Sequence, residues 1–341
     1  MLRLPSFRYL APSSVEEAAA RLGESPADTM LLAGGTDLVP NMKRRQQTPS
    51  ILVGLRQIAS LSRVSAGRSG TTVGATATLS SIVANERLHQ ECPALWQAAA
   101  QVATSHLRTM GTLGGNLCLD TRCTYYDQTE EWRRAIGYCM KKEGTICWVA
   151  TSSPRCLAVS STDTAPALMV LGARVRLQSA TEIRTLPIAE LYANDGMSYL
   201  TRRPDEILTA VDIPAQEGWR STYWKLRRRG SFDFPVAAVA AALRLDSGGQ
   251  VRDARIALGA VASRPIAAVK AEQLLIGQPL DDSVIAAASD AAYEVAKPMD
   301  NTDFELVWRK RVVRSLMRYA LSELRGDDMR ATRLKLARQI L

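Results

Sequence analysis

Four of the chain's six cysteines are concentrated in one stretch, where their thiols could bind a metal ion or an iron–sulfur cluster. They are separated by 16, 8 and 9 positions, and they are Cys123, Cys139, Cys147 and Cys156. The lack of a C-x-x-C pair argues against a zinc ribbon or a thioredoxin-like motif. The spacing leaves open a tetrahedral zinc, an iron–sulfur cluster and unligated thiols. Aromatic neighbours along the stretch could bury a cluster, and a glycine-rich turn suited to a cofactor phosphate lies just before it, which favours the electron-carrying alternative.

Two glycine-rich turns, residues 34–38 and 111–116, lie about 75 positions apart. Because glycine has no side chain, a phosphate or another oxygen-rich group can approach the backbone amides of such turns closely. In the first turn, Asp37 is expected to cap the following turn of chain. In the second, Thr112 and Asn116 offer side-chain hydrogen bonds that complement the glycine amides. Together the turns could hold the two halves of a dinucleotide, and since neither matches G-x-G-x-x-G, the fold is predicted not to be a Rossmann fold.

The composition indicates a protein of two or three domains with a sizeable core, since the chain has 341 residues of which 46% are hydrophobic. No apolar run approaches the roughly 18 residues that span a membrane, and the first residues lack a secretory signal, so we expect a cytoplasmic protein with reduced thiols. The net charge of +9 is spread along the chain without a nucleic-acid motif, which favours acidic protein partners. The two histidines, His89 and His106, argue against a Ser-His-Asp triad.

Hydrophobic periodicity and turn signals predict the elements that must position these residues. A first helix, capped by Ser13 or Ser14, is predicted to stop at Gly23. Another helix is predicted to begin just after Asp163. The predicted helices cover residues 13–23, 79–88, 93–103, 165–171, 267–275, 281–296, 302–324 and 329–341. The predicted strands and extended segments cover 29–33, 50–55, 64–67, 72–76, 173–177, 186–188, 206–211, 221–229, 236–245 and 251–261, with a hairpin joining 64–67 to 72–76. The last three strands are expected to form an antiparallel meander, and the polar residues 214–218 mark a candidate domain boundary.

Both glycine turns, the segment STDTAPAL at 161–168 and the strand YWKLRRR at 223–229 give the chain a resemblance to a known family. It resembles the FAD-binding (medium) subunits of the molybdenum hydroxylase, or xanthine oxidase, family over nearly its whole length. The resemblance implies an α+β fold, in which a two-part FAD-binding domain of the PCMH, or vanillyl-alcohol-oxidase-like, type precedes a three-stranded antiparallel sheet with a helical bundle. The implied FAD-binding subdomains are residues 1–57 and 58–216, and residues 217–341 form a domain like the C-terminal domain of CO dehydrogenase flavoproteins.

The same resemblance implies which residues contact FAD. The first glycine turn would lie along the pyrophosphate, the second would hold the other side of the dinucleotide with Leu117 near the ring, and Asp163 would bind flavin hydroxyls. Tyr223 would cover the isoalloxazine face, Lys225 would approach the flavin, and Leu208 matches another contacting position. The full set is Leu32, Ala33, Gly34, Gly35, Thr36, Asp37, Leu38, Gly111, Thr112, Gly114, Gly115, Asn116, Leu117, Asp163, Leu208, Tyr223 and Lys225.

The cysteine-bearing segment, about residues 120–157, separates the second glycine turn from Asp163, where most members of the family have a short connection. An insertion of this kind resembles that of the β subunits of 4-hydroxybenzoyl-CoA reductases. This implies that Cys123, Cys139, Cys147 and Cys156 ligate a [4Fe-4S] cluster. Cys118 is excluded as a ligand because four other cysteines already match.

The implied protein is an electron-transfer subunit rather than a self-contained enzyme. It would form a heterotrimer, itself dimerised, with a large molybdenum-cofactor subunit and a small [2Fe-2S] subunit, and would bind neither nucleic acid nor membrane. Electrons from ferredoxin would pass through [4Fe-4S] and FAD to [2Fe-2S] and molybdenum, where 4-hydroxybenzoyl-CoA loses its phenolic hydroxyl. The alternatives are the FAD subunit of an aldehyde, CO or purine dehydrogenase, and a flavin-free scaffold with a structural zinc.

Overall fold

The chain folds into three β-sheets with associated helices. The structure is a computed structural model that describes residues 3–338. Within that range no helix combines the length and the apolar character needed to cross a membrane. Of the predicted terminal helix, residues 330–338 are helical, whereas residues 339–341 lie outside the described part.

The first unit is a small parallel sheet with two helices. Its elements are β1 (Arg8–Leu10), α1 (Val15–Glu24), β2 (Thr29–Leu32), α2 (Leu38–Lys43) and β3 (Ile51–Gly54), and the strands lie in the order β1–β3–β2. The predicted cap at Ser14 is confirmed, since Ser14 Oγ accepts a hydrogen bond from the Glu17 amide at 3.1 Å. The predicted stop at Gly23 is wrong. Helix α1 continues to Glu24, and the proline at position 26 then disfavours the helical conformation at Ser25.

The second unit is an antiparallel five-stranded sheet covered by short helices. Its elements are β4 (Val64–Gly67), β5 (Gly70–Gly74), α3 (Leu79–Val83), α4 (Glu86–Glu91), α5 (Pro93–Gln101), α6 (Ser105–Arg108), α7 (Leu113–Leu117), α8 (Glu130–Ala135), α9 (Thr164–Val170), β6 (Arg174–Gln178), β7 (Ile183–Pro187) and β8 (Ile207–Pro214). The strands lie in the order β4–β5–β8–β6–β7. The single helix predicted over 79–88 is wrong, because the Asn85 side chain accepts from the Leu88 amide at 3.0 Å and so starts a separate helix, α4.

The third unit is an antiparallel sheet with a helical layer. It consists of β9 (Trp219–Arg227), β10 (Pro235–Leu245), β11 (Val251–Gly259), β12 (Ile266–Ala267), α10 (Val269–Leu275), α11 (Asp282–Val295), α12 (Leu306–Arg325) and α13 (Arg330–Arg338). The strand order β12–β11–β10–β9 confirms the predicted three-stranded meander, to which the two-residue β12 adds an edge. The predicted α+β architecture is thereby confirmed.

Strand β10 is buried on both faces, and its alternating side chains belong to two cores. Val239 and Ala241 pack in the core that contains the C-terminal helices. Ala238, Ala240 and Ala242 face the other way, in a cluster with alanines of α5 and α9. Because alanine extends only to Cβ, these helices approach the sheet closely, and β9 beside β10 is fixed against the second unit.

The insertion between α7 and α9 has little regular structure, and hydrogen bonds tie it to all three units. The fully buried Arg133 donates to a backbone carbonyl of the first unit at 3.0 Å. The amide of Gly196, in the second unit, donates to the carbonyl of Cys156 at 2.8 Å. From the third unit, Asn301 Nδ2 donates to the carbonyl of Leu157 at 2.6 Å. The insertion is therefore a docked part of the fold.

Candidate functional site

A groove with a cavity volume of about 490 Å³ lies between the two glycine turns. Its lining brings together most of the residues predicted to contact FAD: Leu32, Ala33, Gly34, Gly35, Thr36, Asp37, Leu38, Gly111, Thr112, Gly114, Gly115, Asn116, Asp163 and Leu208. Leu117, Tyr223 and Lys225 are outside this lining, and Leu117 is fully buried in the core of the second unit. The volume lies within the roughly 300–1,000 Å³ that is usual for cofactor pockets.

The two glycine turns touch each other at Gly34. A Cβ added there would overlap the carbonyl of Met110 and approach Gly111 Cα to 3.1 Å. Gly35 has a φ of 71°, in the left-handed region that other residues rarely adopt. The absence of side chains at these two positions thus permits both the path of the first turn and its contact with the second.

The second turn is held by its own polar side chains. Thr112 Oγ1 accepts from the Gly115 amide at 3.1 Å and so caps helix α7. Asn116 also lines the groove, and its Oδ1 accepts from Thr162 Oγ1 at 2.9 Å and from Thr164 Oγ1 at 2.7 Å, so its predicted contact with a ligand stays a prediction. Asn116 therefore fastens the glycine turn to the start of α9, on the far side of the insertion.

Asp37 does not cap α2 with its side chain, so the predicted cap is wrong. Its carboxylate instead pairs with the guanidinium of Arg122 and accepts from Asn41 Nδ2 at 3.1 Å. Arg122 is 5% exposed and also lies 3.3 Å from Asp127. A cation supplied by the insertion thus neutralises the acid beside the first glycine turn, which removes the repulsion that a phosphate would meet there.

Asp163 forms a buried cluster with Tyr223 and Lys225. Its carboxylate accepts from Tyr223 Oη at 2.7 Å and from Lys225 Nζ at 3.0 Å, while Lys225 also donates to the carbonyl of Gln101 at 3.0 Å. Burial raises the pKa of Asp163 and lowers the pKa of Lys225, and their mutual attraction opposes both changes. Burial and the Asp163 charge raise the pKa of Tyr223, so its hydroxyl remains a donor. Tyr223 and Lys225 therefore act on the groove through Asp163.

The four predicted ligand cysteines line one small pocket, together with Tyr126, Lys141 and Trp148. Each cysteine is 5–7% exposed and none forms a disulfide. Burial raises the pKa of Cys123 to about 12 and that of Cys156 to about 11. These thiols must lose protons to become ligands, which couples occupancy of the pocket to pH.

The four cysteines satisfy the donor requirement of an iron–sulfur or zinc site, since the pocket contains four thiols and no histidine. Among residues 3–338, no three His, Cys, Asp or Glu side chains are arranged around a single metal-ion position. Cys118 lines the groove and not the cysteine pocket, in keeping with its exclusion from the ligand set.

Three polar residues of the insertion were not singled out from the sequence, although they shape both cavities. Asp120 and Arg122 line the groove, and Lys141 lines the cysteine pocket. Lys141 Nζ lies 2.7 Å from Asp120 Oδ1, and each of these side chains is 5% exposed. Charged residues inside a cysteine-bearing segment were the available signal, but their partners are distant in sequence and could not be assigned.

Family comparison matches residues 5–216 to the FAD-binding domain in molybdopterin dehydrogenase and residues 221–324 to the CO dehydrogenase flavoprotein C-terminal domain. The chain is 28% identical to the aldehyde oxidoreductase FAD-binding subunit PaoB of Escherichia coli K12, over 94% of this chain and 100% of that relative. It is also 28% identical to the carbon monoxide dehydrogenase medium chain of Afipia carboxidovorans, over 94% of this chain and 97% of that protein.

Solved structures agree with this. A Cu,Mo-CO dehydrogenase chain superposes with a TM-score of 0.79 at 26% identity, covering 95% of this chain and 99% of its own length. A chain of quinoline 2-oxidoreductase from Pseudomonas putida 86 gives a TM-score of 0.75 at 25% identity, covering 95% and 98%. The domain matches, the full-length relatives and the shared fold show that the chain belongs to the molybdenum hydroxylase family, as one of its FAD-binding medium subunits.

Proposed function

We propose that this FAD-binding subunit also carries a [4Fe-4S] cluster and passes electrons from ferredoxin, through that cluster and FAD, towards a molybdenum centre. The partners would be a large molybdenum-cofactor subunit and a small [2Fe-2S] subunit in a dimerised heterotrimer, located in the cytoplasm. The reaction would be the reductive dehydroxylation of 4-hydroxybenzoyl-CoA. The observation that carries the proposal is the four-cysteine pocket, which lies directly beside the groove.

In the FAD part of the proposal, the two glycine turns would hold the pyrophosphate and Asp163 would accept from flavin hydroxyls. Tyr223 and Lys225 each donate one hydrogen bond to the Asp163 carboxylate. These bonds fix its orientation and leave other lone pairs free to accept from a ligand. When bound, the flavin supplies a centre that exchanges one or two electrons. We also propose residues 1–57, 58–216 and 217–341 as the two FAD-binding subdomains and the C-terminal domain.

For the cysteine pocket, an iron–sulfur cluster is favoured over zinc by its surroundings. The ring of Tyr126 and the indole of Trp148 enclose the pocket, and Trp148 Nε1 donates to the carbonyl of Tyr138 at 2.5 Å, which holds the ring in place. An apolar enclosure limits solvent access to a cluster, and solvent access is one of the properties that set its reduction potential. Adjacency to the groove gives an electron a short route between the two cavities.

Purified protein tests the proposal through its flavin, iron and acid-labile sulfide contents. We expect one flavin together with four iron and four sulfide per chain, since a [4Fe-4S] cluster has that composition. Cys139→Ser should lose the iron and keep the flavin, because the two cavities have separate linings. Cys118→Ser is the matched control and should keep both. Full iron in Cys139→Ser, or zinc in place of iron in the unaltered protein, would refute the cluster.

A second candidate is the FAD subunit of a CO, aldehyde or purine dehydrogenase, which the named relatives favour. In that case electrons run outward from molybdenum through this chain. Co-purification of the partner subunits, followed by assays with 4-hydroxybenzoyl-CoA plus reduced ferredoxin and with CO or aldehydes plus an acceptor, separates the two. Turnover only with the oxidisable substrates would support the second candidate, and a colourless protein with zinc would support a flavin-free scaffold instead.

A further inference from the structure

Side chains from the lining of the FAD groove are hydrogen-bonded to side chains from the lining of the cysteine pocket. Asp120 belongs to the lining of the groove, whereas Lys141 and Tyr126 belong to that of the cysteine pocket. Lys141 Nζ lies 2.7 Å from Asp120 Oδ1, and Tyr126 Oη donates to Asp120 Oδ2 at 3.0 Å. The ion pair therefore joins the two linings, with its cation on the cysteine side and its carboxylate on the groove side.

The ammonium group of Lys141 is fixed in this position. Besides Asp120, it donates to Thr121 Oγ1 at 2.8 Å and to the carbonyl of Gly196 at 2.7 Å, so its three donors are all used. The rings of Tyr126 and Tyr199 lie 4.9 and 5.2 Å from Nζ. A buried charge with no freedom to move exerts a stronger and more constant field on its neighbours than a solvated one.

The cysteines experience this field. Lys141 lines the same small pocket as the four cysteines and is the one charged residue in the lining that the structure describes. Its fixed positive charge would stabilise an anionic centre held there. Lys141 is therefore placed to act on whatever negative charge the four cysteines hold.

We infer that Lys141 raises the reduction potential of the cluster, while Asp120 anchors Lys141 and limits the rise. This rests on the proposed function, since it requires a cluster in the cysteine pocket. In a one-electron reduction the donor, ferredoxin, is oxidised and the cluster gains one negative charge, with no bond made or broken. A fixed cation stabilises the more negative, reduced form and so raises the potential, and a carboxylate has the opposite effect. The pair would therefore set how readily the cluster accepts an electron, which then passes to the flavin in the groove.

The test is a redox titration of the cluster in the intact complex, monitored by electron paramagnetic resonance. The iron content of this subunit, separated from its partners, is measured alongside. Lys141→Met should lower the midpoint potential. Asp120→Asn should raise it, because Lys141 keeps its bonds to Thr121 and Gly196. Lys141→Arg should stay near the unaltered value, since the charge is retained. Lys142→Met is the matched control: that neighbour pairs with Glu143 at 3.0 Å and does not line the pocket, so its shift should be the smaller one.

Opposite shifts of the midpoint potential in Lys141→Met and Asp120→Asn would support the inference. A loss of packing alone would not make the direction of the shift depend on whether a positive or a negative charge is removed. An unchanged or raised midpoint in Lys141→Met with full iron would overturn it and leave the proposed function intact. If Lys141→Met loses its iron, Asp120→Asn and Lys141→Arg test the inference instead. A lowered midpoint potential in Asp120→Asn would then contradict the charge effect. Unaltered protein with flavin but no iron would instead refute the proposed function.

Discussion

The groove and the cysteine pocket are neighbours, yet they are built in different ways. The groove takes its shape from backbone, where two glycine turns at the ends of regular elements meet at Gly34 and Met110. The cysteine pocket takes its shape from side chains, in a segment where the structure describes one short helix, α8, and where buried Arg133 and Lys141 tie the chain together. A backbone-built site should be sensitive to a single added Cβ, whereas a side-chain-built site should be sensitive to the loss of one hydrogen-bond donor.

The largest effect is expected from Gly34→Ala. The new Cβ would overlap the Met110 carbonyl and separate the two turns, so FAD binding should be lost while the iron content is kept. Flavin and iron measured per chain check this. Gly23→Ala is the matched control, since nothing lies within 4 Å of its added Cβ and the residue is inside α1. Retained flavin in Gly34→Ala would mean that contact between the turns does not shape the groove.

Lys225→Met tests whether side chains also support the groove. Removing one member of a buried ion pair costs about 3–5 kcal/mol of unfolding free energy, because Asp163 is left charged and unpaired. The folded-state pKa of Asp163, already raised by burial, should rise further. The folded state then binds a proton more tightly than the unfolded chain, so the loss of stability should grow as pH rises above about 4, the pKa of an unfolded aspartate.

Urea unfolding of Lys225→Met at several pH values measures that dependence. The double variant Lys225→Met, Asp163→Asn serves as the control, because it has no carboxylate to protonate and should lose most of the extra pH dependence. A penalty in Lys225→Met that is equal at pH 5 and pH 8 would show that lost packing, and not the unpaired charge, is the cause.

Arg133→Met should disturb the cysteine region and spare the groove. Its guanidinium donates to the carbonyls of Arg44 and Gln128 at 3.0 and 3.1 Å, and an unpaired buried acceptor costs about 1–3 kcal/mol. We expect faster proteolysis within residues 120–157 and a lower iron content, with flavin retained. Arg134→Met is the matched control, because that side chain is 69% exposed. Equal proteolysis of the two variants would contradict the role given to Arg133.

The smallest effect is expected from salt. Residues 120–157 contain six Lys or Arg and five Asp or Glu, so the net charge of +9 lies almost entirely outside the cysteine region. Electron delivery by an acidic ferredoxin should still slow as ionic strength rises, because the attraction acts over a Debye length of about 10 Å at 0.1 M. Stopped-flow reduction at several salt concentrations measures this, with an uncharged small-molecule reductant as the control. A salt-independent rate would remove the electrostatic part of the docking proposal.

The sequence predicted best what depends on local signals. The Ser14 cap, the alternating strands β9 to β11 and the glycine turns all follow from residue types at neighbouring positions. It predicted the collection of the four cysteines in one pocket through resemblance, since their spacing left several alternatives open. It failed where one short-range signal competes with another, as at Asn85, whose side chain starts a second helix inside a stretch predicted to be a single helix.

It also failed where a residue's partner is remote. Asp37 is a good helix cap by type, yet it pairs with Arg122, 85 positions away. The sequence also did not indicate that Asn116 bonds to Thr164, 48 positions away. A lone polar side chain does not identify such partners, because the tertiary fold decides which one comes within reach.

The alanine face of β10 has a mechanical consequence. A surface of methyl groups has no rotamers to rearrange, so it cannot absorb a larger neighbour by adjusting side chains. Ala240→Val would have to lift the sheet from α5 and α9, and β9 would move with it. Since Tyr223 and Lys225 reach the Asp163 carboxylate from β9, that displacement would reposition the acid in the groove although the altered methyl groups never face it.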